Sequence, residues 1–346
     1  MVLSKSRLIR QMLLASTLLF PAFARAGQYT TLDCPGQTST QAASINTPGQ
    51  IVGTCTTGPV QVAFVWFPGG TFQTFSAPSA VGVTNALDIN DSGVTIGTYI
   101  SNTGGPHGFI FNNGAITQFD VPGAVQTWPS SINSSGQVAG YYVDSSNVYH
   151  GFIRDALGNY TTFDVPNLAP FTVSGINDSG EVTGSRSTGT TTEGFVRDSL
   201  GNITTFEVPG TKATIPTAIN HSGEITGYAV ETEAAHGFTR DASGTIFTFK
   251  APGAGSTGFI PGTFPFSIND SGEVTGYGQT SGTVNFGFTQ SGANTPFDFQ
   301  DPSAGLSFFY GTYAKKINSV GKIVGFYYDS TGHLHGFLRD VLPPGD

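Results

Sequence analysis

The sequence predicts an all-β fold: a seven-bladed β-propeller of four-stranded blades, its ring closed by the N-terminal strand pairing in the last blade. Three observations predict it. One motif recurs seven times, each copy holds about four strand-length segments, and the segment missing from the last copy stands ahead of the first.

The first element is Ile-Asn-x-x-Gly, at Ile45-Asn46, Ile89-Asn90, Ile132-Asn133, Ile176-Asn177, Ile219-Asn220, Ile268-Asn269 and Ile317-Asn318. A second glycine follows at Gly53, Gly97, Gly140, Gly184, Gly227, Gly276 and Gly325, usually with Val or Ile two places earlier; Thr95 departs from this. A small residue and Phe come third, from Ala63-Phe64 and Gly108-Phe109 to Gly287-Phe288 and Gly336-Phe337. The fourth element reads Tyr160 to Pro166, with counterparts ending at Pro78, Pro122, Pro209, Pro252 and Pro302. After Arg339-Asp340 it is absent, but Tyr29-Thr30-Thr31-Leu32-Asp33-Cys34-Pro35 supplies it near the start. We call the four segments A, B, C and D. Asn-Asp-Ser-Gly, as at Asn177 to Gly180, suits a tight A–B hairpin, and Asp155 to Asn159 suits C–D. Alternation predicts that Ile176, Val182, Phe195 and Phe206 share one face toward a neighbouring blade.

Residues 1–26 carry Lys5, Arg7 and Arg10, an apolar run from Met12 to Phe23, and Ala24-Arg25-Ala26, the pattern of an export signal. The expectation is a secreted, periplasmic or extracellular protein whose residues 27–346 form one propeller domain. The run is too short to span a bilayer, so no membrane insertion is expected. The chain carries a formal charge of −9, and losing the signal's four basic residues leaves ten basic against 23 acidic side chains. Such a balance repels nucleic acid. Cys34 and Cys55, in an oxidising compartment, are expected to form a disulfide that locks the closing strand.

The motif set Ile-Asn-x-x-Gly-x-Val-x-Gly followed by His-Gly-Phe, at His107, His150, His236 and His335, resembles the extracellular repeat family named for its His-Ala-Phe (HAF) motif. The match covers nearly all of residues 27–346, although Val62, Glu193 and Phe286 replace the histidine elsewhere. The resemblance implies a bacterial exported propeller-like protein and brings no catalytic residues with it.

Equivalent histidines of different blades stand too far apart to share a metal. They are read as structural, bonding a neighbouring strand's backbone. Asp91, Asp178 and Asp270 are read as turn formers rather than calcium ligands, and Arg154, Arg197, Arg240 and Arg339, each followed by Asp, as an ion-pair or turn element. No catalytic residue, metal or cofactor is assigned. The reading is a monomeric, non-enzymatic binding or scaffold module for a glycan, peptide or cell-surface protein. Its site lies on the face where D–A and B–C loops gather, with Trp128, Phe171, Phe259, Phe308, Tyr310 and Tyr313 as ligand-binding candidates. The alternative is a propeller hydrolase or lyase with a metal-assisted acid-base site in the axial channel, for which His221 and His333 are the best candidates.

Overall fold

The computed structural model describes residues 27–166, 170–231, 234–256 and 261–341, and every regular element among them is a β-strand. Residues 1–26, read above as an export signal, and Phe259 lie outside the described residues. Strand β1 (Gly27–Leu32) precedes a series of antiparallel meanders. These are β2 (Ser39–Ile45), β3 (Ile51–Thr57), β4 (Val60–Phe67) and β5 (Thr71–Phe75); then β6 (Thr84–Ile89), β7 (Thr95–Ile100), β8 (Pro106–Asn112) and β9 (Ala115–Phe119). Next come β10 (Ala124–Ile132), β11 (Val138–Asp144), β12 (Tyr149–Arg154) and β13 (Tyr160–Phe163); β14 (Phe171–Ile176), β15 (Val182–Ser187), β16 (Thr192–Arg197) and β17 (Ile203–Phe206) follow. The series continues with β18 (Ala213–Ile219), β19 (Ile225–Val230), β20 (Ala235–Arg240) and β21 (Ile246–Phe249), then β22 (Gly262–Ile268), β23 (Glu273–Gln279), β24 (Asn285–Ser291) and β25 (Phe297–Phe299). The last meander is β26 (Gly311–Ile317), β27 (Ile323–Tyr328) and β28 (Leu334–Val341), and β1 lies antiparallel on β28 with Thr31 opposite Phe337. Single-residue parallel pairings, Thr192 with Ala213, Ala235 with Gly262 and Asn285 with Gly311, also join the later meanders edge to edge. The pairing there is therefore one large mixed sheet.

The motif residues explain why these segments pack as they do. The C-strand phenylalanines Phe64, Phe109, Phe152, Phe195, Phe238, Phe288 and Phe337 are all fully buried. Each is met by the D-strand apolar residue of the preceding unit. Phe75 lies edge-on to Phe109, Phe119 to Phe152, Phe206 to Phe238 and Phe249 to Phe288. Leu32 of β1 takes the same part against Phe64. Phe206 thus faces the next unit rather than sharing a face with Ile176, Val182 and Phe195, because the D strand lies at the outer edge where the twisted sheet turns toward its neighbour.

The glycines are needed for space. A Cβ at Gly184 would overlap the Thr172 carbonyl oxygen, and one at Gly194 would enter the Phe206 ring. Arg154, Arg197, Arg240 and Arg339 lay their guanidinium groups 4.5–5.2 Å over Phe119, Phe163, Phe206 and Phe299, so they act between units, and the first three also donate to the carbonyl of the aspartate that follows them. Three of the four motif histidines bond carboxylates rather than backbone, and His236 lies 3.8 Å from Glu231. His107 pairs with Asp120 at 2.9 Å, His150 with Asp164 at 2.6 Å, and His335 with Asp33 beside β1 at 2.8 Å. The Cys34–Cys55 disulfide ties the end of β1 to β3 across a separation of 21 residues. In the chain-entropy model such a loop contributes about 3 kcal/mol.

Candidate functional site

The A strands meet around an axis, and the Ile-Asn motif decides how. Each Asn Oδ1 accepts the N–H four residues on, closing its own A–B turn, as in Glu181 N–H to Asn177 at 2.9 Å. Each Nδ2 donates to the backbone carbonyl of the corresponding Asn in another unit: Asn46 to Asn90, Asn90 to Asn133, Asn133 to Asn177, Asn177 to Asn220, Asn220 to Asn269, Asn269 to Asn318, and Asn318 back to Asn46, at 3.0–3.3 Å. The set returns to its starting residue. All seven are buried, so these bonds satisfy amides that would otherwise be costly to desolvate.

Two chambers lie on this axis. One, of about 190 Å³, is lined at the A–B turn end by the asparagines and by the residues after them, among them Asp91, Asp178, His221 and Asp270. The three carboxylates are already engaged, accepting the N–H groups of Thr47, Ser134 and His221 at 2.8, 2.8 and 3.1 Å. No group of three or more metal-ligating side chains capable of holding an ion occurs among the described residues.

The second chamber, about 420 Å³, lies toward the D–A loops. Five isoleucines, Ile89, Ile132, Ile176, Ile219 and Ile268, line both chambers and form the partition. Its wall is built by a repeated irregularity. Every A–B pairing skips one residue, two places before the isoleucine, and the skipped residues are Ala43, Leu87, Ser130, Ser174, Thr217, Phe266 and Lys315. All seven line this chamber. A bulge re-aims its side chain, and here it aims all of them at the axis.

Five of the seven are small or aliphatic; Phe266 and Lys315 are not. The Lys315 Nζ stands 4.0 Å from the Phe266 ring centroid and 5.8 Å from that of Phe326. Burial lowers its pKa from the usual lysine value to about 8. The neighbouring position carries Asp88 and Lys316. Asp88 accepts Ser44 Oγ at 2.7 Å, Ser131 Oγ and Ile132 N–H at 3.1 Å each, and lies 3.5 Å from Lys316 Nζ. A side pocket of about 260 Å³ opens past Lys315 and Phe326 onto a polar wall of Gln41, Thr54, Gln61 and Asn85.

Behind Phe266 a series of ring contacts leads to Phe326. Tyr277 stacks on both Phe264 and Phe266, meets Tyr313 at 4.9 Å, and Tyr313 stacks on Phe326 at 4.9 Å. Tyr310 stacks on Tyr328 at 5.7 Å. Burial raises the pKa of Tyr277 to about 12 and also raises that of Tyr313, so both stay neutral phenols over the physiological range. On another unit, Trp128 stacks on Tyr141 and Tyr141 on Tyr149.

Of the residues expected from sequence, Trp128, Tyr310 and Tyr313 are half-buried and belong to these arrays, while Phe308 is 64% exposed at a loop tip. Phe171 is 3% exposed and packs edge-on against Phe195, so it belongs to the core. His221 sits at the A–B turn end, 3.5 Å from Asp178, whereas His333 lies in the β27–β28 turn, at the opposite end of the strands, bonded to Thr331. The structure does not bring them together. Sequence reading missed Lys315, Asp88 and Phe326. For Lys315, the available signal was a charged residue where the repeat otherwise carries small, aliphatic or aromatic ones.

No protein-family model matches the chain, and no curated protein does. Solved structures match in fold. Virginiamycin B lyase from Staphylococcus aureus aligns with TM-score 0.61 at 12% identity over 90% of this chain and 99% of that one. BP39L lectin from Burkholderia pseudomallei aligns with TM-score 0.55 at 10% identity over 88% and 99%. At these identities the likeness bears on fold alone: an all-β, propeller-like architecture.

Proposed function

We propose that this chain is an exported binding module of the extracellular repeat family: a monomeric seven-bladed propeller, closed by β1, that takes up a saccharide at its loop-rich end. The returning ring of asparagine bonds and the β1–β28 pairing support the blade count and the closure. The observation that carries the function is the second chamber itself. Together with the side pocket beside it, it offers the half-buried rings of Phe266 and Phe326, the hydroxyls of Ser130, Ser131, Ser174 and Thr217, and the amides of Gln41, Gln61 and Asn85, which matches the apolar face and hydroxyl rim of a sugar. A lectin among the fold relatives is compatible with this reading. The hydrolase or lyase reading required acid–base groups converging on the channel, and its two histidine candidates stand at opposite ends.

Titration calorimetry and tryptophan fluorescence against a panel of oligosaccharides test the proposal. Trp128 is half-buried on Tyr141 in another unit, so its emission reports a ligand that extends that far from the chamber. Phe266→Ala or Phe326→Ala is expected to weaken the best ligand at least tenfold, roughly 1.4 kcal/mol. Absence of any saccharide ligand, or unchanged affinity in both variants, would overturn it.

A further inference from the structure

We infer that the axial chamber selects an acidic saccharide, whose carboxylate pairs with Lys315; this rests on the saccharide reading. Lys315 is a bulge residue aimed into the chamber, with its amine over Phe266 and no hydrogen bond or ion pair to protein among the described residues. An ammonium group partly removed from water needs a counter-charge, and ring faces supply only part of one.

The one carboxylate lining the chamber does not supply it. Asp88 is committed to two hydroxyls, a backbone N–H and Lys316. With Lys315, Lys316 and Asp88 counted together the chamber holds one excess positive charge, inside a chain whose formal charge is −9. An anion is repelled by most of this surface and attracted to this point. A neutral sugar entering the chamber would desolvate the ammonium further and return hydrogen-bond acceptors but no counter-charge. A uronic acid brings its own counter-charge, sets its apolar face against the rings, and turns its hydroxyls toward Gln41, Thr54, Gln61 and Asn85.

The experiment compares an oligogalacturonate with its neutral galactose counterpart on the full chain, using wild type, Lys315→Met and Lys315→Arg. Carbon-13 NMR of reductively methylated lysines, assigned through Lys315→Met, reports the same site independently. The expected result is at least tenfold preference for the acidic ligand, lost in Lys315→Met and kept in Lys315→Arg. The Lys315 resonance should titrate at higher pH when that ligand is bound. Equal affinity for both sugars overturns this inference and leaves the saccharide reading standing, whereas binding of neither overturns both. Lys315-dependent binding of a peptide through its terminal carboxylate, with no response to oligogalacturonate, also overturns the saccharide assignment.

Discussion

The two ends of the axis are built from the same seven strands and have opposite characters. At the A–B turn end every unit contributes the same Ile-Asn pair, and the asparagines satisfy one another around the axis. At the loop end the same strands present Ala, Leu, Ser, Ser, Thr, Phe and Lys from one equivalent position. Where the repeat is kept, polar groups are consumed by the architecture. Where it is broken, a ring face and an amine are left facing open space. Departures from the repeat are thus a better guide to chemistry in this chain than the motif itself.

The strongest way to break this contrast is to remove a repeat residue and a loop-end residue and compare them. Phe195→Ala empties a fully buried ring site and is expected to cost about 3–5 kcal/mol, read from the urea midpoint. Phe308→Ala, at an exposed tip, should stay within about 0.5 kcal/mol. Comparable losses would show that the loop end is as structural as the core.

Next in size is Asn177→Asp, which keeps the acceptor for Glu181 N–H but removes the donor to the Asn220 carbonyl and sets a carboxylate beside Glu181. A loss of about 2 kcal/mol is expected. An unchanged midpoint would mean that the asparagine ring is geometrically present but energetically idle.

Lys315→Met follows, with a smaller effect than Asn177→Asp and the opposite sign. Because the folded state holds the amine near pKa 8 against 10.5 for the free side chain, the charge opposes folding most below pH 8. Between pH 8 and 10.5 the unfolded chain binds more protons, so wild-type stability from this group rises through that window. Lys315→Met should therefore be more stable than wild type by about 1 kcal/mol at pH 7, with the advantage shrinking toward pH 10. A variant less stable than wild type at pH 7 would show that the amine is well accommodated and has no need of a counter-ion.

Much of the architecture was legible because repetition averages out local ambiguity. Phe195 alone is an apolar residue after a small one, but seven such pairs in register with seven Ile-Asn pairs specify strands and turns together. The Leu32 segment was readable as a displaced D strand for the same reason. The partners of the histidines were not legible, since His150 and Asp164 become neighbours only through the register of β12 on β13. Lys315 escaped for a sharper reason. A bulge adds one residue to the strand and reverses inside and outside for whatever follows, so period-two alternation misassigns the residue that reaches the axis. Phe171 failed in the other direction, since a bulky ring near a loop reads as exposed until the strand beginning there carries it beneath its neighbour.

The pairing of β1 with β28 also orders events in time. His335 reaches Asp33 across 302 residues, so the strand made first among these acquires its hydrogen-bonding partner only once the last has been synthesised. Loop-closure entropy grows only logarithmically with length, and so the long wait is less a thermodynamic burden than an interval of exposure. During that interval the Leu32 strand and the apolar face that will receive it are open to any other chain. The Cys34–Cys55 bond, at the end of the same strand and closing a separation of only 21 residues to β3, holds that strand to the first meander without any contribution from β28.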